Sequence, residues 1–394
     1  MAAAAIVVVV AAVAVLIWWT SDARATISRP AAVPAPNPTP ARQVPATLKE
    51  LWTAASPATT APVAVGGTVV TADGRRVDGR DPGSGQSRWS YERDSDLCGV
   101  SWVYHYAVAV YRDGRGCGQV STLDGSTGSR GPARSGYADP HVQLSSDGTT
   151  VLSAGNTRLE LWRSDMVRTV AYGETDTRVK PSARGLHSSC KLVSAAASSS
   201  AVSVLEGCAN QADLRLVLLR PGKDDDEPQQ HIVSEPGIAA DSGARVLAVW
   251  ETHTAVYLPS PRPRVEVVDE TGTTVSSTLL PKPPSTPGAV SHAGSLITWW
   301  TGDSVMVFET GNLSLRYTIV AGDTTAPLGP GAMMAGRLLV PVTGAIGVYD
   351  PVSGANERYI PVNRAPGTPG RAVVPAVAGS LVFEQRGDTV VGLG

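Results

Sequence analysis

The chain has 394 residues, of which 42% are hydrophobic, and its formal net charge at pH 7 is -2. A chain of this length can bury a substantial core, and the absence of a basic excess argues against nucleic-acid binding. The 40 Gly and 30 Pro residues are spread between apolar runs, where they mark turns, so the composition predicts many short strands and an all-β fold.

The first predicted element is an uncharged apolar run, AAAAIVVVVAAVAVLIWW, at residues 2–19. As a helix it would be about 27 Å long, close to the thickness of the bilayer hydrocarbon. Trp18 and Trp19 stand where an interfacial aromatic belt would lie. The sequence therefore predicts one transmembrane anchor over residues 1–20, with the rest of the chain in the periplasm or extracytoplasmic space. A cleaved signal peptide is the alternative, because ARA at residues 23–25 fits a small-residue cleavage site.

A segment rich in Pro and Ala follows the apolar run. It reads RPAAVPAPNPTPARQVPA at residues 29–46, a composition typical of semi-rigid extended spacers. We therefore interpret residues 21–46 as a linker that holds a folded domain, residues 47–394, away from the membrane surface.

Four cysteines lie in the predicted domain, as two close pairs. An even number of cysteines beyond an export signal predicts disulfides, here Cys98–Cys117 and Cys190–Cys208. Each bond would stabilise the fold by about 3 kcal/mol in the chain-entropy model. A metal site is the alternative, but it needs further ligands at suitable spacing, and only His187 lies near Cys190.

A turn motif recurs along the chain. DPGSG at residues 81–85 returns as DGSTG at 124–128, as DPVSG at 350–354 and, shortened, as DETG at 269–272. The Asp side chain supplies an acceptor for the turn and the Gly supplies a positive φ, so the motif forms hairpins. The spacings fit one, three and two copies of a unit of about 40 residues.

A repeat of this length with about four strands is typical of a β-propeller blade. The pattern predicts blades near residues 60–93, 96–132, 139–173, 188–233, 236–281, 286–321 and 330–362. The C-terminal segment supplies about three further strands. The missing strand is TLKELWTAA, residues 47–55, in which Trp52 has the position that Trp89 holds in the first blade. Closure by strands from both ends would remove the free sheet edges, so eight blades are predicted, with seven as the alternative.

Two aromatic runs are candidates for ligand binding. In SWVYHY, residues 101–106, period-two alternation predicts that Trp102, Tyr104 and Tyr106 share one face of a strand, where they would line a lipid or sugar groove. In ITWWTGD, the adjacent Trp299 and Trp300 must point to opposite faces of their sheet. Packing between neighbouring blades is the alternative in both cases.

The sequence predicts no catalytic residues, metal or cofactor. It contains no G-x-S-x-G motif, and its six His residues are scattered without a paired nucleophile. We therefore expect a protein that binds or scaffolds.

The run APVAVGGTVVTADGRRVDGRDPGSGQSRWSY, residues 61–91, resembles the repeat of PQQ-like propellers. In that repeat a strand, an Asp-Gly turn, a strand ending in Leu-Asp, a Thr-Gly turn and a Trp strand follow in order. Together with the apolar N-terminus, the Pro-rich segment and the actinobacterial composition, the chain is similar to a family of membrane-anchored PQQ-like propellers of the mycobacterial envelope.

That resemblance implies a non-catalytic propeller of cell-envelope biogenesis. Such a protein would bind a mycolate glycolipid, trehalose monomycolate, and assist its membrane transporter in polar growth. A protein scaffold for envelope assembly without a lipid ligand is one alternative, and a PQQ-type dehydrogenase is another. Dehydrogenases of this fold use a stacked Trp, a calcium ion and commonly a vicinal disulfide, and the chain contains no adjacent Cys pair.

Overall fold

A computed structural model describes residues 2–20, 22–174, 189–225, 227–286, 288–365 and 370–394. Two helices, α1 Ala2–Thr20 and α2 Asp22–Ala25, precede the strands. None of the helices in these ranges is both long enough and apolar enough to cross a membrane.

The rest of the described chain is strand, turn and loop. The strands are, in chain order, β1 Ile27–Arg29, β2 Glu50–Ala55, β3 Val63–Val65, β4 Thr68–Asp73, β5 Arg76–Arg80, β6 Ser87–Glu92, β7 Leu97–Val103, β8 Tyr106–Asp113, β9 Gly116–Asp124, β10 Arg130–Ser135, β11 Gln143–Ser146, β12 Thr150–Ala154, β13 Arg158–Arg163, β14 Arg168–Gly173, β15 Cys190–Ala197, β16 Val202–Cys208, β17 Arg215–Arg220, β18 Gln229–Ser234, β19 Arg245–Trp250, β20 His253–Leu258, β21 Arg264–Val268, β22 Thr274–Leu279, β23 Ala289–Ala293, β24 Leu296–Trp300, β25 Val305–Glu309, β26 Leu315–Ile319, β27 Ala332–Met334, β28 Arg337–Val342, β29 Ala345–Tyr349, β30 Asn356–Pro361, β31 Val373–Ala378, β32 Leu381–Arg386 and β33 Thr389–Leu393.

These strands form eight antiparallel sheets within the described residues. We number the sheets as blades in chain order: blade 1 is β3–β6, blades 2 to 7 take four consecutive strands each from β7 to β30, and blade 8 is β31–β33 with β2. The first strands of most neighbouring blades pack side by side, and blades 5 and 6 share a hydrophobic core cluster. β31 of blade 8 packs beside β3 of blade 1, so the ring is closed. The prediction of an eight-bladed propeller is confirmed, and the alternative of seven blades is not.

Blade 8 contains strands from both ends of the chain. β2 pairs with β33, and Thr53 and Ala54 lie opposite Val391 and Val390. Trp52 of β2 donates a 2.8 Å hydrogen bond from its indole Nε1 to the carbonyl oxygen of Pro82 in blade 1. The sequence predicted this closure, including the role of the strand that contains Trp52.

The core lies between the blades. β24 of blade 6 is buried at every position, because both of its faces are covered by neighbouring sheets. Trp299 packs with residues of blade 5, whereas Trp300 packs with residues of blade 7. A strand enclosed in this way must be apolar on both faces, which explains why its sequence does not alternate.

The recurring Asp-Gly turns close the outer hairpins. Oδ1 of Asp81 accepts hydrogen bonds from the backbone N–H groups of Gly83 and Ser84, and Asp350 accepts the equivalent bonds from Val352 and Ser353. The backbone N–H of Ser84 is the largest cause of a lowered pKa at Asp81. These carboxylates serve the turn itself, in agreement with the hairpin interpretation.

Both predicted disulfides are present. Cys98 and Cys117 are bonded with a Cα–Cα distance of 5.9 Å, and Cys190 lies directly opposite Cys208 on the paired strands β15 and β16. Glu206 lies beside the second bond, but the two sulfurs are joined to each other and are therefore not available as thiolate ligands for a metal. His187, which belonged to the alternative metal site, lies outside the described residues.

Candidate functional site

Each blade is an up-and-down meander, so the turns between its first and second strands all emerge at one end of the ring. We call this end the strap face, because residues 31–48, the strap, cross it. Ala31 and Ala35 of the strap donate backbone hydrogen bonds of 2.8 and 3.0 Å to the carbonyl oxygens of Thr127 and Ser126 in blade 2.

The strap then continues over blades 1, 8 and 7. It approaches the first turn of blade 1 so closely that a Cβ atom at Gly67 would lie 2.3 Å from the carbonyl oxygen of Pro36. At blade 7, the guanidinium of Arg358 donates a 2.9 Å hydrogen bond to the carbonyl oxygen of Val44. Val44 and Leu48 are buried in the core between blades 7 and 8.

This packing corrects one expectation. The interpretation of residues 21–46 as a linker that stands away from the domain does not describe residues 27–46, because β1 pairs with β6 as a fifth strand of blade 1 and the strap packs on the ring. Pro favours an extended backbone whether the chain is solvated or packed, so composition alone does not distinguish the two states.

A cavity of about 340 Å³ lies between the strap and the first turns of blades 1, 7 and 8. Its apolar lining includes Val65, Met333, Met334 and Val377. Its volume is at the lower end of the range for pockets that take small molecules. The cavity could therefore hold a sugar or part of a lipid chain, but not a whole mycolate.

The predicted aromatic candidates in blade 2 lie at the strap face, but not on one strand face. β7 ends at Val103, and Tyr104 starts the turn to β8 with a φ of 50°. Tyr106 consequently lies opposite Val103, whereas Trp102 lies opposite Ala107. The predicted alternation is wrong because the chain reverses at Tyr104.

Two of these rings are accessible. Trp102 is 36% exposed and Tyr104 is 58% exposed. The edge of the Trp102 ring lies against the first turn of blade 3, where a Cβ at Gly148 would be 2.9 Å from the indole. Of the predicted candidates, these two are the ones that a ligand at the strap face could contact.

Blades 5 and 6 contribute a second aromatic pair to the strap face. The rings of Trp250 and His292 have centroids 6.4 Å apart. The surrounding protein lowers the pKa of His292 because it removes hydration from the imidazolium, and the negative charge of Asp147 on blade 3 opposes this shift. Sequence reasoning missed this pair, since Trp250 and His292 are far apart in the chain and neither belongs to a motif.

Trp299 and Trp300 do not reach a ligand-accessible surface. Trp299 is fully buried and Trp300 is 4% exposed. The indole of Trp300 donates a 2.9 Å hydrogen bond to the carbonyl oxygen of Pro327. Both residues therefore belong to the core, as the packing alternative expected.

A highly charged buried cluster surrounds Glu160. Its carboxylate accepts hydrogen bonds from the guanidinium groups of Arg134, Arg158 and Arg168 at 2.6–3.0 Å and from the indole of Trp162 at 2.8 Å. Burial by itself would raise the pKa of Glu160, but the arginines outweigh it and hold that pKa below its usual range. All of its lone pairs have partners, so Glu160 is a structural carboxylate and not a proton donor or acceptor for a reaction.

Similar clusters hold other blades together. Glu206 pairs with Arg215 and Tyr172, and Glu384 pairs with Arg364. The sequence contains a signal for ion pairs of this kind, because an Arg-x-acid pattern occurs on the third strand of three blades. The pairs are Arg76–Asp78 in blade 1, Arg158–Glu160 in blade 3 and Arg264–Glu266 in blade 5.

No family model matches the chain, and no curated protein is significantly similar to it. Among solved structures, it is similar to BamB from Moraxella catarrhalis, with 15% identity, a TM-score of 0.52, and coverage of 88% of this chain and 99% of that chain. It is also similar to the C-terminal WD40 domain of Sif2, with 10% identity, a TM-score of 0.52, and coverage of 88% and 98%. Sqt1 of Saccharomyces cerevisiae gives 10% identity, a TM-score of 0.50, and coverage of 90% and 98%.

These likenesses establish the fold. The chain is an all-β, eight-bladed propeller similar to both PQQ-like and WD40 propellers. At such low identity they carry no ligand or partner over to this chain.

Proposed function

We propose that the protein is a non-catalytic binding propeller of the cell envelope that holds its ligand or partner at the strap face. The observation that carries the proposal is the coincidence of exposed aromatic rings, Trp102 and Tyr104, and the cavity beneath the strap at one end of the ring. Three buried carboxylates, Glu160, Glu206 and Glu384, are each paired with arginine, which supports a structural role for these three groups.

We further propose that the ligand is a mycolate glycolipid, trehalose monomycolate, and that the protein assists the membrane transporter of that lipid in polar growth. This proposal rests on the sequence resemblance to the mycobacterial polar growth factor PgfA. The chemistry of the strap face is compatible with it, because aromatic rings stack on sugars and the lining of Met333, Met334 and Val377 suits a segment of acyl chain.

Attachment to the inner membrane belongs to the same proposal. Residues 3–19 of α1 are exposed along the whole helix, including Trp18 and Trp19, and contain no charged side chain. Such a surface is unfavourable in water and favourable at a membrane. If α1 attaches the propeller, deletion of residues 2–20 releases the protein from the membrane fraction of its host, whereas retention of the deleted protein there would contradict this role.

A protein scaffold without a lipid ligand is the second candidate, and the strap itself favours it. An extended Pro-rich segment already lies across this face with backbone hydrogen bonds at Ala31 and Ala35. The surface is thus suited to extended peptide, and a partner protein would use the uncovered turns of blades 3 to 6.

The test is native mass spectrometry of the full chain, purified from its own host in detergent, followed by lipid extraction. We expect a bound glycolipid and a higher melting temperature with trehalose monomycolate than with the detergent alone. The replacements Trp102→Ser and Tyr104→Ser should abolish the shift, whereas Tyr359→Ser, at an exposed aromatic residue of blade 7, should leave it unchanged. A protein that carries no lipid and shows no shift in melting temperature would refute the lipid ligand. Cross-linking of that lipid-free protein to the transporter would then support the scaffold role, and loss of cross-linking would contradict it.

A further inference from the structure

The chain joins the propeller a short distance after α1. Residues 21–26 separate Thr20, which ends α1, from Ile27, which begins β1. A chain of this length spans at most about 25 Å, and the helical conformation of α2 shortens it further. A domain of the size of the propeller is roughly 50 Å across. If α1 attaches the protein to a membrane, as the proposed function holds, the edge of blade 1 is held near that membrane, whereas nothing holds the far side of the ring there.

β1 is fixed to the ring by its backbone. Ser28 in the middle of β1 lies opposite Tyr91 of β6, so β1 forms the outer edge of blade 1. Two residues after β1, Ala31 donates a 2.8 Å hydrogen bond to the carbonyl oxygen of Thr127 in blade 2. The short connection to α1 therefore ends on the rim of blades 1 and 2 and not on a free segment.

The chain between α2 and β2 is basic. Beyond Asp22, residues 23–48 contain Arg24, Arg29 and Arg42 but no acidic residue, although the net charge of the whole chain is -2. Arg29 of β1 is exposed and forms no ion pair with any described residue. The edge of blade 1 that the connection holds near the membrane therefore carries a positive charge without a partner.

A second unpaired arginine lies beside this edge. Arg130, which begins β10 in blade 2, is exposed and also lacks an ion pair within the described part of the chain. Its guanidinium lies 5.9 Å from the centre of the Tyr91 ring, and Tyr91 is the residue opposite Ser28. By contrast, Arg76 and Arg88 on the neighbouring strands β5 and β6 are paired with aspartates. The unpaired arginines are thus close to β1.

Apolar side chains accompany these charges. Ile27 of β1 is 44% exposed, and Val33, shortly after β1, is 69% exposed. The acidic residue among the three partners of β1 is Glu92, opposite Ile27, and it is half-buried. Aliphatic side chains beside basic ones favour the boundary between lipid headgroups and acyl chains, because each kind then has a partner.

We propose that the edge of blade 1 formed by β1 faces the membrane, and that Arg29 and Arg130 bind the phosphate groups of anionic lipids there. Guanidinium groups suit phosphate, because its oxygens accept charge-assisted hydrogen bonds in pairs. Basic residues next to a membrane anchor are attracted by the negative potential of an anionic leaflet, and salt screens this attraction. Ile27 and Val33 would then pack against the lipid beside the two arginines.

The test uses the full chain reconstituted into vesicles of phosphatidylcholine, alone or in equimolar mixture with phosphatidylglycerol. The native cysteines are all in disulfides, so Ser28→Cys supplies a single thiol for a fluorescent label. Ser277→Cys is the matched control, because Ser277 is an exposed serine on β22, the outer strand of blade 5. Lipids with a spin label near the headgroup quench a label at the membrane surface. We expect quenching at residue 28, stronger with phosphatidylglycerol, and none at residue 277.

Arg29→Gln with Arg130→Gln should abolish the gain in quenching that phosphatidylglycerol gives, and so should high salt. Arg262→Gln, at an exposed arginine of blade 5, should not. Flotation of the protein with the vesicles measures attachment by α1 separately, and it should be the same for all these proteins. If the protein floats but residues 28 and 277 are quenched alike, or the double variant keeps the gain, the proposal is overturned while attachment stands. A protein that does not float with the vesicles overturns attachment by α1 and this proposal together.

Discussion

The indole Nε1 of Trp89 in blade 1 donates a 2.8 Å hydrogen bond to the carbonyl oxygen of Gly125 in blade 2. The same oxygen accepts a 2.8 Å bond from the hydroxyl of Thr68. Gly128, which ends this turn, has no side chain, and a Cβ there would lie 2.6 Å from the Trp89 ring. The outer strand of one blade is thus attached to the Asp-Gly turn of the next.

The same arrangement recurs around the ring. Trp52 of blade 8 covers Gly85 of blade 1, and Tyr317 of blade 6 covers Gly354 of blade 7. The turn motif therefore has two structural roles. Its Asp closes the hairpin, and an aromatic ring of the neighbouring blade packs on its Gly.

We expect Gly128→Ala to destabilise the protein by several kcal/mol, because the new methyl group would displace the buried Trp89 ring in addition to straining a residue with a φ of 75°. Gly74→Ala is the matched control, since Gly74 has a φ of 58° but no atom within 4 Å of the added Cβ. The control should lose only about 1 kcal/mol. Urea unfolding measures both, and equal losses would show that contact with Trp89 contributes nothing.

Glu160→Gln should cost about 3–5 kcal/mol of the free energy of unfolding, since it leaves three guanidinium groups around an uncharged side chain. Glu50→Gln is the control, because the Glu50 side chain is about half exposed and its ion pair with Arg386 is 3.4 Å long. Its loss should be about 1 kcal/mol or less. A Glu160→Gln protein as stable as the control would contradict the structural role of the cluster.

Stability should also respond to pH through Glu235. This residue is buried, and burial together with the nearby charge of Glu266 raises its pKa from 4.5 to about 7, against the opposing effect of Arg264. The folded state then holds a proton that the unfolded state has lost, so the contribution of Glu235 to stability falls as the pH rises from about 4.5 to about 7.

Thermal melts of the wild type and of Glu235→Gln at pH 5 and pH 8 measure this effect. The amide side chain of the Glu235→Gln variant does not titrate. The melting temperature of the variant should therefore rise relative to that of the wild type as the pH rises. A difference between the two proteins that does not change with pH would show that Glu235 has an ordinary pKa.

Replacing Cys98 and Cys117 together by Ser should lower the free energy of unfolding by about 3 kcal/mol, because the bond closes a loop of moderate length. When both proteins are treated with a reductant, the difference in the free energy of unfolding between the wild type and this double variant should be smaller. Two free thiols in the unreduced wild type, by a thiol titration, would contradict the bond.

Several features of the fold were predictable because they follow from local chemistry. The turns at Asp81, Asp124 and Asp350 each combine an acceptor side chain with a Gly at positive φ, and their spacing defined the blades. Trp52 was recognisable because its strand repeats the pattern around Trp89. The adjacent Trp299 and Trp300 had to face opposite sides of a strand that is covered on both.

The candidate site was less predictable, for two physical reasons. Tyr104 adopts a left-handed φ that nothing in SWVYHY requires, and this single conformation ends the strand. The strap is held by turns that are distant in the chain, at Gly67 and Gly379, and a Pro-rich segment has no periodicity that reveals such contacts.

Blade 8 is closed by β2 from near the start of the propeller and by β33 from its end. The strap leads directly into β2, and β2 has no partner strand until β33 is available. A chain interrupted before β33 therefore leaves β2 without its partner strand and blade 8 open. Closure of the ring therefore joins the first and last parts of the fold, so the eighth blade forms only when β2 and β33 are both present.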